Sequence, residues 1–293
     1  MDIESKKFLG QPKNFVSIFN ALLFDGQPVL KPEYLKDENS ELVMNVLSKH
    51  VDIIKRYEDG TYLDLFVIES QSYVDPSMVA RVMEYESVAR MRYIRQNFKK
   101  HVPMHTRLPM ILTVVLYVGE SKWNAAKRLS ELEIIHPGFE DMFNEFKLNL
   151  IELNTNHKYN TGEKTTQDFF DLLRMIYRKQ ILKEDLDREF NRDALYFAYV
   201  VTKNKELLNI YQESEKGDVK VCRALDEMFE ESTNKGIQMG IKQGIEQGVE
   251  RGVKNTQIKI AIKMLVRNNQ TLEEISEIVG LDLDALKELK KSI

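Results

Sequence analysis

The sequence predicts an α/β protein, a mixed or parallel sheet covered by helices and continued by a helical carboxy-terminal extension. Three observations carry that prediction. Residues 51–71, VDIIKRYEDGTYLDLFVIESQ, divide into two extended runs around Glu58-Asp59-Gly60, the pattern of a β-hairpin. Residues 108–118 form a continuous run rich in β-branched residues without alternation, which suits a strand buried on both faces. Elsewhere apolar residues recur three and four apart, the spacing of helices with one buried face.

Taken in order, the chain opens with an amphipathic stretch around Phe15 to Leu23, ended by Asp25-Gly26, a pair that tolerates positive φ. Pro28 and Pro32 predict an extended connection, and residues 39–48 a second short helix. The hairpin follows. Asp75-Pro76-Ser77 then starts a helix, because Asp or Ser can cap and Pro fits the first turn. That helix runs from Met78 to about Phe98 and carries Arg81, Tyr85, Arg92 and Arg95. After the buried strand, Gly119 ends the run and the single tryptophan, Trp123, lies just beyond. Residues 150–230 read as helical, with FFDLLRMIYRKQIL and ALYFAYVVTKNKELLNIY both showing helical spacing.

The last section changes character. Gly236, Gly240, Gly244, Gly248 and Gly252 recur every four residues, each followed by Ile or Val. Each glycine weakens a helix by about 1 kcal/mol, so propensity opposes a helix here unless something compensates. Two readings stand: a helix on which a second copy packs against the glycine row, or a flexible linker. Lys242, Glu246, Glu250 and Arg251 exclude a membrane version. Residues 256–293 read as three short helices, with a capping box at Thr271 and Glu274 and a stop at Gly280. The outline is that of a helix-turn-helix, but acids outnumber lysines from Thr271 onward, which favours a packing or protein-contact module over a major-groove reader.

The composition narrows the function classes. Hydrophobic residues make up 43% of 293, and the charged 30% nearly cancel to a net -4, the composition of an ordinary folded chain and not of a disordered one. The net charge of -4 gives no global sign of nucleic-acid binding, so such a role requires a local basic surface. One is present: RMRYIRQNFKKHVPMHTR, residues 90–107, holds Arg90, Arg92, Arg95, Lys99, Lys100 and Arg107 and no acid. Interleaved with Tyr93 and Phe98, these cations suit a phosphate backbone, and they equally suit a solvated helix face. A single cysteine, Cys222, rules out a disulfide framework and suits packing in a reducing compartment. No run is long enough for a membrane helix and the amino terminus lacks an apolar signal core, so a cytoplasmic location is expected.

The candidate site is the hairpin. Glu69 and Gln71, two apart on a strand, point to one face, and strand pairing can bring Asp52 beside them. Two converging carboxylates suit Mg2+, which takes few protein ligands and keeps waters and substrate phosphates. As a motif the pair is short, and ordinary strand-edge acids would look the same. His101 and His105 have the spacing of a helical zinc pair, but Pro103 between them breaks the helix they would need.

The segment IESQSYVDPSMVARVMEYE, preceded by VDIIKRY and followed by LPMILTVVLYVGESKW, resembles the Rpn family of recombination-promoting nucleases and transposases, members of the PD-(D/E)XK nuclease superfamily. The resemblance implies a restriction-endonuclease-like mixed sheet core in residues 1–150, a helical extension in 151–232, a Gly-repeat helix or linker in 233–255 and a small helical tail module in 256–293. It implies a Mg2+-dependent endodeoxyribonuclease, with Mn2+ as the alternative ion, in which Asp52 and Glu69 are metal ligands and Gln71 stands at the superfamily's lysine position. Arg81 and Tyr85 match supporting positions on the following helix. DNA is the implied substrate, for which the basic stretch offers Arg92, Arg95, Lys99 and Lys100, and the Gly-repeat region is the expected homo-oligomer contact. The departure is Gln71, since glutamine offers a neutral hydrogen bond where lysine offers charge. The competing expectation is a catalytically degenerate nuclease fold acting as a DNA-binding or assembly module.

Overall fold

The computed structural model describes residues 3–37, 53–60, 63–98, 100–181, 185–214 and 217–293. The expected helix at residues 39–48 and two expected site residues, Asp52 and Lys99, lie outside the described residues. The chain divides into two compact units, Met1–Asp226 and Glu227–Ile293.

In the first unit, helix α1 (Ile3–Gly10) leads into α2 (Pro12–Phe24), which has proline in its first turn. Asp25 closes α2 in the left-handed region at φ 50°, followed by Gly26 at φ 78°, as the Asp-Gly pair predicts. Strand β1 (Leu35–Asp37) pairs antiparallel with β2 (Ile53–Glu58), and β2 with β3 (Leu63–Gln71) in the expected hairpin. Gly60 in its turn adopts φ 88°, a conformation most side chains resist. Helix α3 (Met78–Asn97) then crosses back, so that β4 (Ile111–Tyr117) runs parallel to β3. Strand β5 (Asn149–Glu152) adds in parallel beyond β4, completing a mixed five-stranded sheet in the order β1-β2-β3-β4-β5.

The two faces of the sheet are covered by different helices. Phe66 lies 4.8 Å from the ring of Phe19 on α2 and 5.7 Å from Tyr57. Its neighbour Val67 points the other way and packs with Ile54 and Tyr85 of α3. Val115 and Tyr117 of β4 join Met78, Val79 and Val82 of α3, with Trp123 standing edge-on to Tyr117 at 5.1 Å. Helices α4 (Lys164–Arg178), α5 (Arg192–Thr202) and α6 (Lys205–Glu213) follow, along with a two-stranded pair, β6 (Glu189–Phe190) and β7 (Val219–Lys220). Phe8 of α1 stacks on Phe197 at 4.3 Å and meets Phe169 at 5.5 Å, which ties the start of the chain to these later helices.

Two expectations are corrected here. Residues 150–152 lie in a stretch that reads as helical, yet with Asn149 they pair as a strand with a largely buried neighbour, β4. Residues 256–267 are the end of a continuous helix, α7 (Cys222–Arg267), which also contains all five glycines of the repeat. In the second unit α8 (Leu272–Val279) starts in the Thr271–Glu274 capping box and ends at Gly280 in the left-handed region. With α9 (Leu283–Lys291) it packs Ile275, Val279 and Leu286 against Ala261 and Leu265 of α7.

Candidate active site

The end of β3 carries the polar cluster. Parallel pairing sets Glu69 opposite Val115 and Gln71 opposite Tyr117, so both polar side chains share the α3 side of the sheet with Val67. Glu69 is 2% exposed and Gln71 5%. A buried carboxylate costs several kcal/mol unless it is hydrogen-bonded and paired. Here the Gln71 amide donates to Glu69 Oε1 at 2.7 Å and Arg81 Nη2 donates to the same oxygen at 3.1 Å. Because a carboxylate only accepts, the Gln71 nitrogen must be the atom facing Glu69.

Helix α3 supplies the second layer. Arg81 and Tyr85 are four apart and therefore lie on one helix face. Arg81 Nε donates to the Tyr85 hydroxyl at 2.8 Å, and Nη1 is hydrogen-bonded to Asp75 Oδ2. Asp75 Oδ1 in turn accepts from the Ser77 backbone N–H at 2.8 Å and the Ser77 hydroxyl at 2.7 Å. One residue thus shapes the entry to α3 and holds the guanidinium that reaches Glu69.

The titration behaviour follows from these contacts. Burial pushes the Tyr85 hydroxyl up to about 12, with the Glu69 charge adding to it, so this tyrosine stays protonated across the physiological range. For Arg81, burial disfavours the charge, but the acceptors Asp75 and Tyr85 outweigh it and hold the guanidinium above its ordinary value. Asp75 is also pushed up by burial, yet the Ser77 and Arg81 hydrogen bonds prevail and keep its carboxyl below the ordinary 3.8.

The structure therefore brings together Glu69, Gln71, Arg81 and Tyr85. It sets the basic stretch apart. Arg92 and Arg95 occupy the last turns of α3, fourteen residues beyond Arg81 in the case of Arg95, which is about 21 Å along the helix axis. Lys100 is exposed just past the helix end, and Arg90 is paired with the buried Glu86 at 2.8 Å. His101 and His105 lie in the exposed loop after α3, not on a helix, and His105 has a φ of 72°. Among the described residues no group of three or more His, Cys, Asp and Glu is placed to hold a metal ion.

Two features of the cluster have no clear signal in the sequence. Asp75 reads as a helix start and gives no hint that its second oxygen holds Arg81. Glu152 on β5 stands in the row Gln71–Tyr117–Glu152 across three parallel strands and is paired with Lys127. Its neighbours in sequence look helical, so nothing places it at this sheet end.

A mixed sheet with helices on both faces and a buried Glu-x-Gln at the end of its central strand defines a restriction-endonuclease-like core with carboxy-terminal helices. The chain belongs to the family described as "Putative transposase, YhgA-like", whose model matches residues 6–207. That is the family type to which the hairpin motif and its flanks point. No curated protein and no solved structure matches the chain. Among the described residues no helix is long and apolar enough to cross a membrane.

Proposed function

We propose that this protein is a metal-dependent DNA endonuclease of the transposase-like class. The observation that carries the reading is Glu69, a carboxylate 2% exposed at the end of the central strand and oriented by Gln71 and Arg81. A fold gains little from such a group as a structural element, since a buried pair is often replaceable by apolar residues without loss.

The donor chemistry fits a hard divalent ion, which takes oxygen ligands, one or two of them carboxylates. Glu69 is one, and Asp52, the residue that precedes Ile53 of β2, is the second in this proposal, with Mg2+ or Mn2+ as the ion. When bound, the ion lowers the pKa of a water and offsets charge on the scissile phosphate. The chain's own residues do the rest. Gln71 uses one N–H to fix the Glu69 rotamer and has its carbonyl oxygen and second N–H to orient water. Arg81 pairs with Glu69 and holds it in place, anchored from behind by Asp75 and Tyr85. Arg92, Arg95, Lys99 and Lys100 hold the DNA backbone away from the scissile phosphate.

The glycine repeat supports a homo-oligomer. Ile237, Ile241, Ile245, Val249 and Val253 are all more than half exposed on α7, and a Cβ added at any of the five glycines would meet no heavy atom of the described residues within 4 Å. A second copy packed there would bury the apolar row and offset the glycine cost.

The test is plasmid nicking with Mg2+ or Mn2+, comparing the wild type with Asp52→Asn and Glu69→Gln. Loss of nicking in both variants, with duplex binding retained, is expected. Equal nicking by all three removes the site assignment, and absence of nicking by a wild type that still binds duplex favours the degenerate binding module.

A further inference from the structure

The connection between α3 and β4 takes no part in the chemistry above, and it has an unusual surface. Residues 100–110, KHVPMHTRLPM, rejoin the sheet where β3 and β4 begin, at the opposite end from Glu69. There the Leu65 N–H donates to the Met110 carbonyl at 2.9 Å and the Met110 N–H to Asp64 Oδ1 at 3.1 Å. The tip is a fixed turn. Both the Thr106 N–H, at 3.2 Å, and its hydroxyl, at 2.7 Å, donate to the Pro103 carbonyl, and His105 takes a left-handed φ of 72°, uncommon for a residue with a side chain.

This turn presents apolar side chains to solvent. Met104 is 86% exposed, Met110 50% and Val102 45%. Flanking them along the chain are Arg95, Lys100 and Arg107, all exposed and none ion-paired with a described residue. From residue 87 to residue 119 the sequence has no Asp or Glu. Exposed apolar groups interspersed with cations in a stretch without acids suit a partner that is both polyanionic and able to open an apolar surface. Duplex DNA is such a partner, with phosphates outside and base faces between its steps.

We propose that residues 100–110 are an apolar wedge that enters duplex DNA at a base step, Met104 leading, while Arg95, Lys100 and Arg107 hold the flanking phosphates. The proposal rests on the DNA-cutting reading and adds where the duplex is deformed. Inserted Met, Pro or Val side chains unstack a step and kink the helix, most easily at TA or CA/TG. The length of α3 between Arg81 and Arg95, about 21 Å, corresponds to about six base pairs at 3.4 Å each. Cuts are therefore expected several base pairs away from a deformable step and not at the step itself.

The experiment uses the full chain without divalent metal and a 30-base-pair duplex carrying 2-aminopurine at a central TA step. Wild type and Glu69→Gln should both bind and raise the fluorescence at least threefold. Met104→Ala, a change at an exposed position that leaves the core intact, should bind within about twofold but lose most of the rise. Arg107→Ala should weaken binding and flatten its salt dependence. Binding without a fluorescence rise, or a rise unchanged in Met104→Ala, overturns the wedge while leaving the nuclease reading standing. Failure of the wild type to bind duplex overturns both. If Met104→Ala instead lowers the oligomeric state in light scattering and leaves the DNA signal intact, the turn is a contact between copies and the wedge is rejected.

Discussion

Arg81→Ala removes one guanidinium from three acceptors at once: Glu69, Asp75 and the Tyr85 hydroxyl. The magnitude follows from burial. Breaking a buried charge pair from one side costs about 3–5 kcal/mol, because the partner is left desolvated and uncompensated. Glu69 is 2% exposed, so it has no easy route to water, whereas the Arg81 side chain is 19% exposed and its removal admits some solvent. The lower end of the range, about 3 kcal/mol, is therefore expected. For a unit of this size that corresponds to a fall in Tm of about 6–12 °C. Trp123 is the only tryptophan and is packed edge-on against Tyr117 in the cluster that α3 covers, so its fluorescence reports unfolding of this unit in urea. Adding Glu69→Gln to Arg81→Ala should recover a large part of the loss, since a neutral amide leaves no buried charge behind. A loss below about 1 kcal/mol, or a double variant less stable than Arg81→Ala alone, would refute the view that Arg81 serves to compensate the buried Glu69 carboxylate.

Asp75 predicts an acid limb. Its folded-state pKa lies below 3.8, so its contribution to stability is complete above that pH and is lost as pH falls through the lower folded value. Urea titrations between pH 5 and about pH 2 should show a steeper loss in the wild type than in Asp75→Asn, and parallel curves would remove the assignment. At the other end of the chain, Ala at Gly240, Gly244 and Gly248 raises helix propensity by about 1 kcal/mol each but adds methyl groups where a second backbone would approach. Lower oligomeric state in light scattering is expected, and an unchanged one with a more stable helix would favour a solitary helix. Thr271→Ala removes the cap hydrogen bond to Glu274 and should cost about 1 kcal/mol in the second unit, read by circular dichroism, with the Trp123 transition unmoved.

Much of the fold is legible in the residues because local rules decide it. Gly60 and the two extended runs specify the hairpin, and the unbroken apolar run before Gly119 specifies a buried parallel strand. Within the cluster, the shared face of Glu69 and Gln71 follows from strand alternation and that of Arg81 and Tyr85 from helical spacing. What escapes is set by tertiary partners. Four residues, Asn149–Glu152, are too few to show a period, and they are a strand because β4 offers them a ladder. The division of Asp75 between Ser77 and Arg81 needs the helix and the strand end in place together. Likewise the separation of the basic stretch from the acids appears only once α3 runs back along a parallel connection, carrying its last turns to the far end of the sheet.

That arrangement also recasts the glutamine. In the (D/E)-x-K pattern the cation beside the acid comes from the strand itself, two residues on. Here the strand offers a neutral amide, and the cation at Glu69 comes from α3, since Gln71 and Arg81 donate to the same oxygen, Oε1. A lysine at position 71 would compete with Arg81 for that oxygen and bring two cations together in a largely buried space, where their repulsion is poorly screened. Gln71 and Arg81 thus form one device. The helix supplies charge and the strand supplies orientation, and Asp75 and Tyr85 keep the guanidinium from swinging away. In the proposed nuclease, the absent lysine would then be a relocation of charge by one element, and α3 would be the element that joins both halves of the proposed activity. Its first turns hold the acid and its last turns carry the cations of the proposed DNA surface.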